Sequence, residues 1–494
     1  MTEYLPVVKS SQQLTIKINT ASTLLGRGLA TIQKTQLTIS DQDARYREAR
    51  DIYDRITGDG LYRWFNPELL PETRTQFDLF SYEPANALQS FIDQTIQLTD
   101  AFRQLKQLAD EGYGKSYFIL ARMYWGGQGV AKDVEKYNFY IKNAFQWLFS
   151  NRQLNDPEIW RDLANANEIG LGVEQNYSQA VYWYRMASVQ GDARAQNKLG
   201  QMFENGQGVD QDDEQAVYWY RMAAVQGNAR GQNNLGRMFK NGRGVDQDDE
   251  QAVYWHRMAA VQGDTRGQNN LGQMFENGRG VDQDDEQAVY WYCMAAVQGD
   301  AVAQSNLGWM LRNGRGVDQD DEQAVYWFSK AAEQDYAHAQ SRLGWMLSHG
   351  RGIAQNDEKA VYWYRKAADQ DYDHAQYLLG WMLFNGRGII PNDEQAVYWY
   401  RKAADQGYAP AQNSMGFCYL DGRGVVQSNE QAVAWYHEAA KQDNAHAQFM
   451  LGNFYKIGFN LKQNITQAVH WYRKAAEQGH TESKQRLEEL GIKD

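Results

Sequence analysis

The sequence predicts an all-α fold, a solenoid of about ten helix-turn-helix repeats preceded by a helical N-terminal segment. Three observations lead there. The dipeptide Ala-Val opens an AVYWY-like segment at Ala180, Ala216, Ala252, Ala288, Ala324, Ala360, Ala396, Ala432 and Ala468, an unbroken spacing of 36 residues. A fixed period in this range marks stacked supersecondary units, each burying its apolar face on its neighbours. Every unit also contains two stretches of helical periodicity separated by a glycine-rich loop, and every unit carries a good N-cap residue at one fixed position.

Within the unit beginning at Ala193, the first helix (helix A) places Ala195, Leu199, Met202 and Phe203 on one apolar stripe. Gly206 supplies a left-handed closing residue, and Gly208 allows the chain to turn back, so the second helix (helix B) is expected to lie antiparallel to the first. Helix B starts after Asn176, Asp212, Asp248, Asp284, Asp320, Asn356, Asn392, Ser428 or Asn464, and Gln three residues on (Lys359 in one unit) predicts a capping box. Ala216, Trp219, Tyr220 and Ala223 form its expected buried stripe. Glycine closes it at Gly191, Gly227, Gly263, Gly299, Gly407 and Gly479, with Asp335, Asp371 and Asp443 in the other units as tolerated left-handed residues. Arg243, Arg279, Arg315, Arg351, Arg387 and Arg423 sit between paired glycines, where a cation at a helix C-terminus is favourable and local Asp residues offer partners. These GRG triplets follow helices rather than strands, which argues against dinucleotide fingerprints.

The run A-x-x-x-LG-x-M-x-x-NGRGV-x-x-D-x-x-x-AV-x-W-Y-x-x-AA-x-x-G resembles the Sel-one-like repeat, a relative of the tetratricopeptide repeat, over roughly residues 113–490. The resemblance implies a right-handed superhelix of α/α hairpins, used as an adaptor or scaffold for protein complexes without intrinsic catalysis. The expected organisation is a helical domain or cap over 1–112, repeats over 113–480 and a capping helix over 481–494. Tyr117 to Ala144 is a worn copy of the unit. Gly129 and Gly172 stand 43 residues apart, so an insertion is expected around Phe145 to Glu158. Before the repeats, a helix capped by Ser40 or Asp41 and running to Gly58 and a long amphipathic helix from Ser81 or Glu83 to Glu111 are expected, and residues 61–80, with Trp64, Phe65 and Phe77, read as a packed loop.

The formal charge of −12 derives largely from recurrent DQDDE loops, which disfavours nucleic acid and acidic lipid as partners. Met1 to Lys17 lacks the pattern of a secretory signal, and no apolar run is long enough to span a bilayer, so the expected location is the cytoplasm with no membrane insertion. Cys293 and Cys418 lie more than two units apart, too far for a disulfide. His338, His374 and His446 share one position of helix A in different layers and cannot converge on one ion. No catalytic motif, metal site or cofactor site is expected.

Positions that vary between near-identical copies are free of the packing common to all. Taking Leu199 as the core direction, Asn197, Gln201 and Glu204 fall at about 160°, 200° and 140° on the helix A wheel, the side expected to face a concave groove. The Gln201 position reads Gln201, Arg237, Gln273, then Trp309, Trp345, Trp381 and Phe417, and finally Asn453. Tyr377, Phe384, Leu420 and Phe449 stand beside it, with Arg312, Asn313 and Asn385 as an expected polar rim. Four half-exposed rings would make a patch of roughly 300–500 Å², near the largest a monomer shows. This column is the candidate site for a protein or peptide partner. A second candidate surface lies on helix B of the early units, at Tyr218, Met222, Val225, Met258 and Val261, for self-association or for docking residues 1–112. The competing function is binding of cell-envelope glycan, peptidoglycan or exopolysaccharide, since sugars also stack on exposed indoles.

Overall fold

The computed structural model describes residues 41–57 and 84–492, and side chains within 44–52 and from Ile96 onward. The reading of 61–80 as a packed loop lies outside the described residues. Twenty-three helices and no strands are found among those described. Two compact units divide the chain, Met1–Gln190 and Gly191–Asp494.

In the first unit the helices Asp41–Thr57 and Pro84–Asp110 precede the hairpins Ser116–Gly126/Val134–Ser150 and Pro157–Ile169/Tyr177–Val189. Tyr46, Leu105, Leu108, Leu120 and Met123 are buried together, and Arg45 pairs with Glu111 at 3.1 Å. Helix Val134–Ser150 runs to 17 residues, longer than the 13 of the following A helices, before Asp156 caps the next helix with Pro157 at its first position.

The second unit stacks eight helix A/helix B pairs, from Ala193–Asn205/Asp213–Val225 to Ala445–Ile457/Ile465–Glu477, closed by Thr481–Glu489. Each helix B packs on its own helix A and on helix A of the next repeat. The apolar stripes build a continuous seam. Leu199, Met202, Ala216, Tyr220 and Ala223 are essentially inaccessible, and their equivalents recur along the stack. Trp219 lies only half-buried, with its indole Nε1 enclosed and unpaired.

The helix ends follow the expected chemistry with one correction. Every helix B N-cap accepts a hydrogen bond from the amide three residues on, as Asp212 does from Gln215 at 2.9 Å. The reciprocal half of the capping box is replaced, because the Asp212 N–H donates instead to the carbonyl of Phe203 at 2.9 Å. The same bond recurs in later units (Asp248 to Phe239, Asn356 to Leu347), tying the start of helix B to the end of helix A. Asp335, Asp371 and Asp443 take φ of +59° where other units use glycine.

The second glycine of each GRG triplet has a role beyond the turn. A Cβ on Gly316 would lie 2.1 Å from the carbonyl oxygen of Asp285, so only glycine lets this loop approach helix B of the preceding repeat. Between the glycines, Arg315 clamps that same Asp285, with Nη2 and Nε donating to its two carboxylate oxygens at 2.6 and 2.9 Å. The partner of each such arginine is therefore the aspartate 30 residues earlier, across the repeat junction, in all six GRG units. A second junction device runs along the stack. Buried Gln268 donates to the Ala260 carbonyl at 3.2 Å and accepts from Gln298 at 2.8 Å, a pattern repeated from Gln232/Gln262 to Gln448/Gln478.

Candidate functional site

The exposed wall of helix A changes character along the stack, and the change is visible in how neighbouring repeats touch. In the early repeats the wall is polar and crosslinked. Asn197 and Glu204, which the helical wheel places on the far side from the core, are only 4% and 6% exposed, because helix A of the next repeat covers them. Asn234 Nδ2 donates to Asn197 Oδ1 at 2.9 Å, Asn270 to Asn233 at 2.9 Å, and Asn306 to Asn269 at 3.1 Å. Glu204 accepts from Arg237 at 2.6 and 2.7 Å, from Arg243 at 3.0 Å and from the Tyr220 hydroxyl at 2.7 Å. Burial alone would raise the pKa of this carboxyl, but the two guanidiniums and the phenol outweigh it and hold Glu204 below its ordinary value.

Three repeats pair a glutamate at the Glu204 position with a tyrosine at the Tyr220 position. Glu168, Glu204 and Glu276 each accept from Tyr184, Tyr220 and Tyr292. At Lys240 and Arg312 the helix B ring has no hydroxyl and is His256 or Phe328, whereas Lys456 is matched by Tyr472, whose hydroxyl donates to Asn453 at 2.8 Å. His256 is fully buried, its Nδ1 3.1 Å from Asn233 Oδ1 and its Nε2 unpaired. Burial, reinforced by Lys240 and Arg237, pushes its pKa down to about 3. These pairings are readable by aligning the units with one another, although a single-helix reading passes over them.

From Trp309 onward the wall is ring-rich, and the rings are half-buried rather than fully displayed. Arg315, besides clamping Asp285, lies 5.0 Å over Trp309, and Arg387 lies 5.4 Å over Trp381. Arg312 is no free rim residue. Its guanidinium sits 3.7 Å over Trp345, which also stacks on His349 at 4.1 Å. Arg423 covers Phe384 at 3.5 Å, and Phe384 meets Phe417 edge-on at 6.0 Å. Phe417 is the most open of the column at 41% exposure. Tyr377 packs between Tyr400 and Tyr408, and Phe449 lies against Tyr472 and His480. Asn313 and Asn385 donate to the carbonyls of Trp309 and Trp381.

A second aromatic row, which the helix A wheel does not reveal, borders the start of helix A. Here Tyr336, Tyr372 and Tyr408 replace the side-chain caps Asp264 and Asp300 of earlier repeats. His338 lies between Tyr336 at 5.4 Å and Tyr372 at 4.4 Å, and His374 faces Tyr408 at 5.9 Å. Burial lowers the pKa of both histidines.

On helix B, Tyr218, Val225 and Val261 are exposed by 52%, 65% and 62%, and Met222 and Met258 are at the margin. Met294, at the same position as these methionines, is buried, so the apolar strip is interrupted there. Both cysteines are free, and burial raises Cys293 to about 11 and Cys418 to about 12. Among the described residues no helix is long and apolar enough to cross a membrane, and no three metal-ligating side chains converge.

The Sel1 repeat family model matches ten segments, residues 114–148, 161–192, 193–228, 229–264, 265–300, 301–336, 337–372, 373–408, 409–444 and 445–480. Among solved structures, the chain is similar to a protective antigen with an SLR fold, present in uropathogenic Escherichia coli strains. The two share 36% identity over 79% of this chain and 84% of that one, with a TM-score of 0.58. It is also similar to a Sel1 repeat protein from Oxalobacter formigenes, at 32% identity over 63% of this chain and 89% of that one, with a TM-score of 0.47. No curated protein matches the sequence.

Proposed function

The chain belongs to the Sel1 repeat family, and from that premise we propose that it is a non-enzymatic scaffold binding a protein or peptide partner along the helix A wall of its repeats. One observation carries the reading. A single wall position changes from Gln201, Arg237 and Gln273 to Trp309, Trp345, Trp381 and Phe417, although the buried seam beneath it stays nearly constant. Packing common to all repeats does not require those rings. Half-exposed aromatics with arginines laid over them form the kind of anchor that dominates binding energy at protein interfaces. Trp345, held between Arg312 and His349, serves as a preorganised wall, and Trp381 and Phe417 serve as contact residues.

Capture from lysate by the full chain, read by mass spectrometry, tests the reading against a Trp381→Ala, Phe417→Ala double variant. The variant should lose its specific partner, a drop of roughly 30-fold or more in affinity for hot-spot truncations, with thermal unfolding little changed. Undiminished capture would remove the ring wall from the function. Retention on insoluble peptidoglycan, lost in the same variant, would move the assignment to a glycan.

A further inference from the structure

We propose that a cleft beside helix Asn429–Lys441 receives an aromatic side chain of a partner polypeptide, with a lysine or arginine next to it in that partner's sequence. The cleft measures ≈ 570 Å³, within the range of ligand sites, and Val433, Ala434, Trp435 and Leu461 line it together with Glu430 and Glu438. Its walls come from helix Asn429–Lys441 and from the loop after helix Ala445–Ile457. No helix A residue lines it, so the site is separate from the ring wall.

The other repeats show what belongs there. Of the nine helix B copies in register, eight carry an aromatic ring immediately before the tryptophan. From Tyr182/Trp183 to Tyr398/Trp399, seven tyrosines stand edge-on to that indole with centroids 4.8–5.1 Å apart, and His470 meets Trp471 in the same way at 5.1 Å. The ninth copy has Ala434 instead, and no described ring stands against Trp435 in its place. Two further exchanges hold the next loop away. A Cβ on Gly424 would lie 2.2 Å from the Asp393 carbonyl oxygen, and the equivalent residue one repeat on is Asn460, whose Cβ forbids so close an approach. The arginine clamp is also missing from this junction, because Phe459 and Asn429 stand where Arg423 and Asp393 pair at 2.7 Å. Phe459 packs on Phe454 at 4.9 Å instead.

A ring entering from a partner restores the contact with Trp435 that tyrosine makes elsewhere, and edge-on aromatic pairs contribute beyond the area they bury. The charge of the cleft selects the residue beside that ring. Glu430 and Glu438 line it, and none of the lining residues is lysine or arginine. Lys441, outside the lining, meets Glu438 at 2.8 Å. Glu430 accepts from the Ser428 hydroxyl at 3.2 Å and forms no ion pair with a described residue. A lysine or arginine next to the ring therefore pairs with Glu430, and a carboxylate in that place is repelled.

The test titrates N-acetyl-tyrosyl-lysine amide into the full-length chain by saturation-transfer difference NMR, beside the same dipeptide with leucine for tyrosine or with glutamate for lysine. The tyrosyl-lysine probe should bind about fivefold more tightly than the leucyl probe and about threefold more tightly than the glutamyl one. Ala434→Tyr, which installs the residue that seven other repeats carry at this position, should fill the cleft and weaken the tyrosyl-lysine probe about fivefold. Glu430→Gln should weaken it about threefold, and the Trp381→Ala, Phe417→Ala double variant should bind it as wild type does. The probe series on wild type stands even if a variant unfolds. Equal binding by wild type and Ala434→Tyr, or equal binding of the tyrosyl and leucyl probes, would overturn the assignment. So would a signal kept in Ala434→Tyr and lost in the double variant, which would place the probe on the ring wall and leave the proposed function standing.

Discussion

Replacing Gly316 by Ala should open a repeat junction, and the same replacement at Gly299 provides the control that isolates the reason. Both glycines have positive φ, +66° and +93°, so alanine adds about 1–2 kcal/mol of left-handed strain at either. About 0.4–1 kcal/mol of that returns through the stiffer unfolded chain. Nothing lies within 4 Å of a Cβ on Gly299, whereas on Gly316 the Cβ falls 2.1 Å from the Asp285 carbonyl oxygen and 2.2 Å from its carbon. Ordinary contact begins near 3.4 Å, so the loop must withdraw by about 1 Å, an overpacking cost of about 1–2 kcal/mol. Withdrawal also draws Arg315 away from Asp285. Because both side chains are about a third exposed, that loss is near 0.5 kcal/mol. The sum is about 3 kcal/mol for Gly316→Ala against about 1 kcal/mol for Gly299→Ala. Urea unfolding followed by circular dichroism reads the difference as a shift in midpoint, compared between variants because stacked repeats need not unfold in one step. Equal shifts for the two variants would refute the close-approach argument.

His256 predicts a pH dependence of stability. Its folded pKa, about 3, is below the ordinary value of 6.5, so the unfolded chain binds the extra proton between these limits and stability falls with falling pH across that window. The loss from pH 7 to pH 5 should be about 2 kcal/mol, and His256→Phe, patterned on the Arg312/Phe328 pair, should remove it; identical pH profiles for variant and wild type would dismiss the assignment. Exchanging the pair as Lys240→Glu with His256→Tyr should recreate the Glu204/Tyr220 bond, with a favourable coupling of about 1–2 kcal/mol in a double-mutant cycle. Strict additivity would show that the glutamate–tyrosine pairing carries no coupling energy.

Much of the architecture was legible because it is local. The nine N-caps, the closing glycines and the left-handed aspartates follow from residues adjacent in the chain, and the 36-residue period supplied the stacking. What escaped was the chemistry between repeats. Asn197 and Glu204 point away from their own helix's core, yet they are covered by Asn234 and Arg237 of the next layer, which a wheel drawn for one helix cannot represent. The capping box was lost for a similar reason, since the Asp212 amide is claimed by Phe203 on the facing helix. For the ring column, type and position were readable, but the arginines laid on Trp309, Trp345 and Phe384 come from other turns and other repeats. The asparagine rungs went unrecognised because their members are 37 residues apart.

The clamps join Arg315 to Asp285, the amide rungs join Asn270 to Asn233, and both separations are invariant along the stack. Excising residues 229–264 would set Arg279 against Asp213 and Asn270 against Asn197, like for like. Stack length is thus a digital variable, adjustable by whole units with these two joints kept, although Gln273 would then stand where Arg237 meets Glu204. The length of the helix A wall can then change by gain or loss of a cassette while the arginine clamp and the amide rung reform at the new junction.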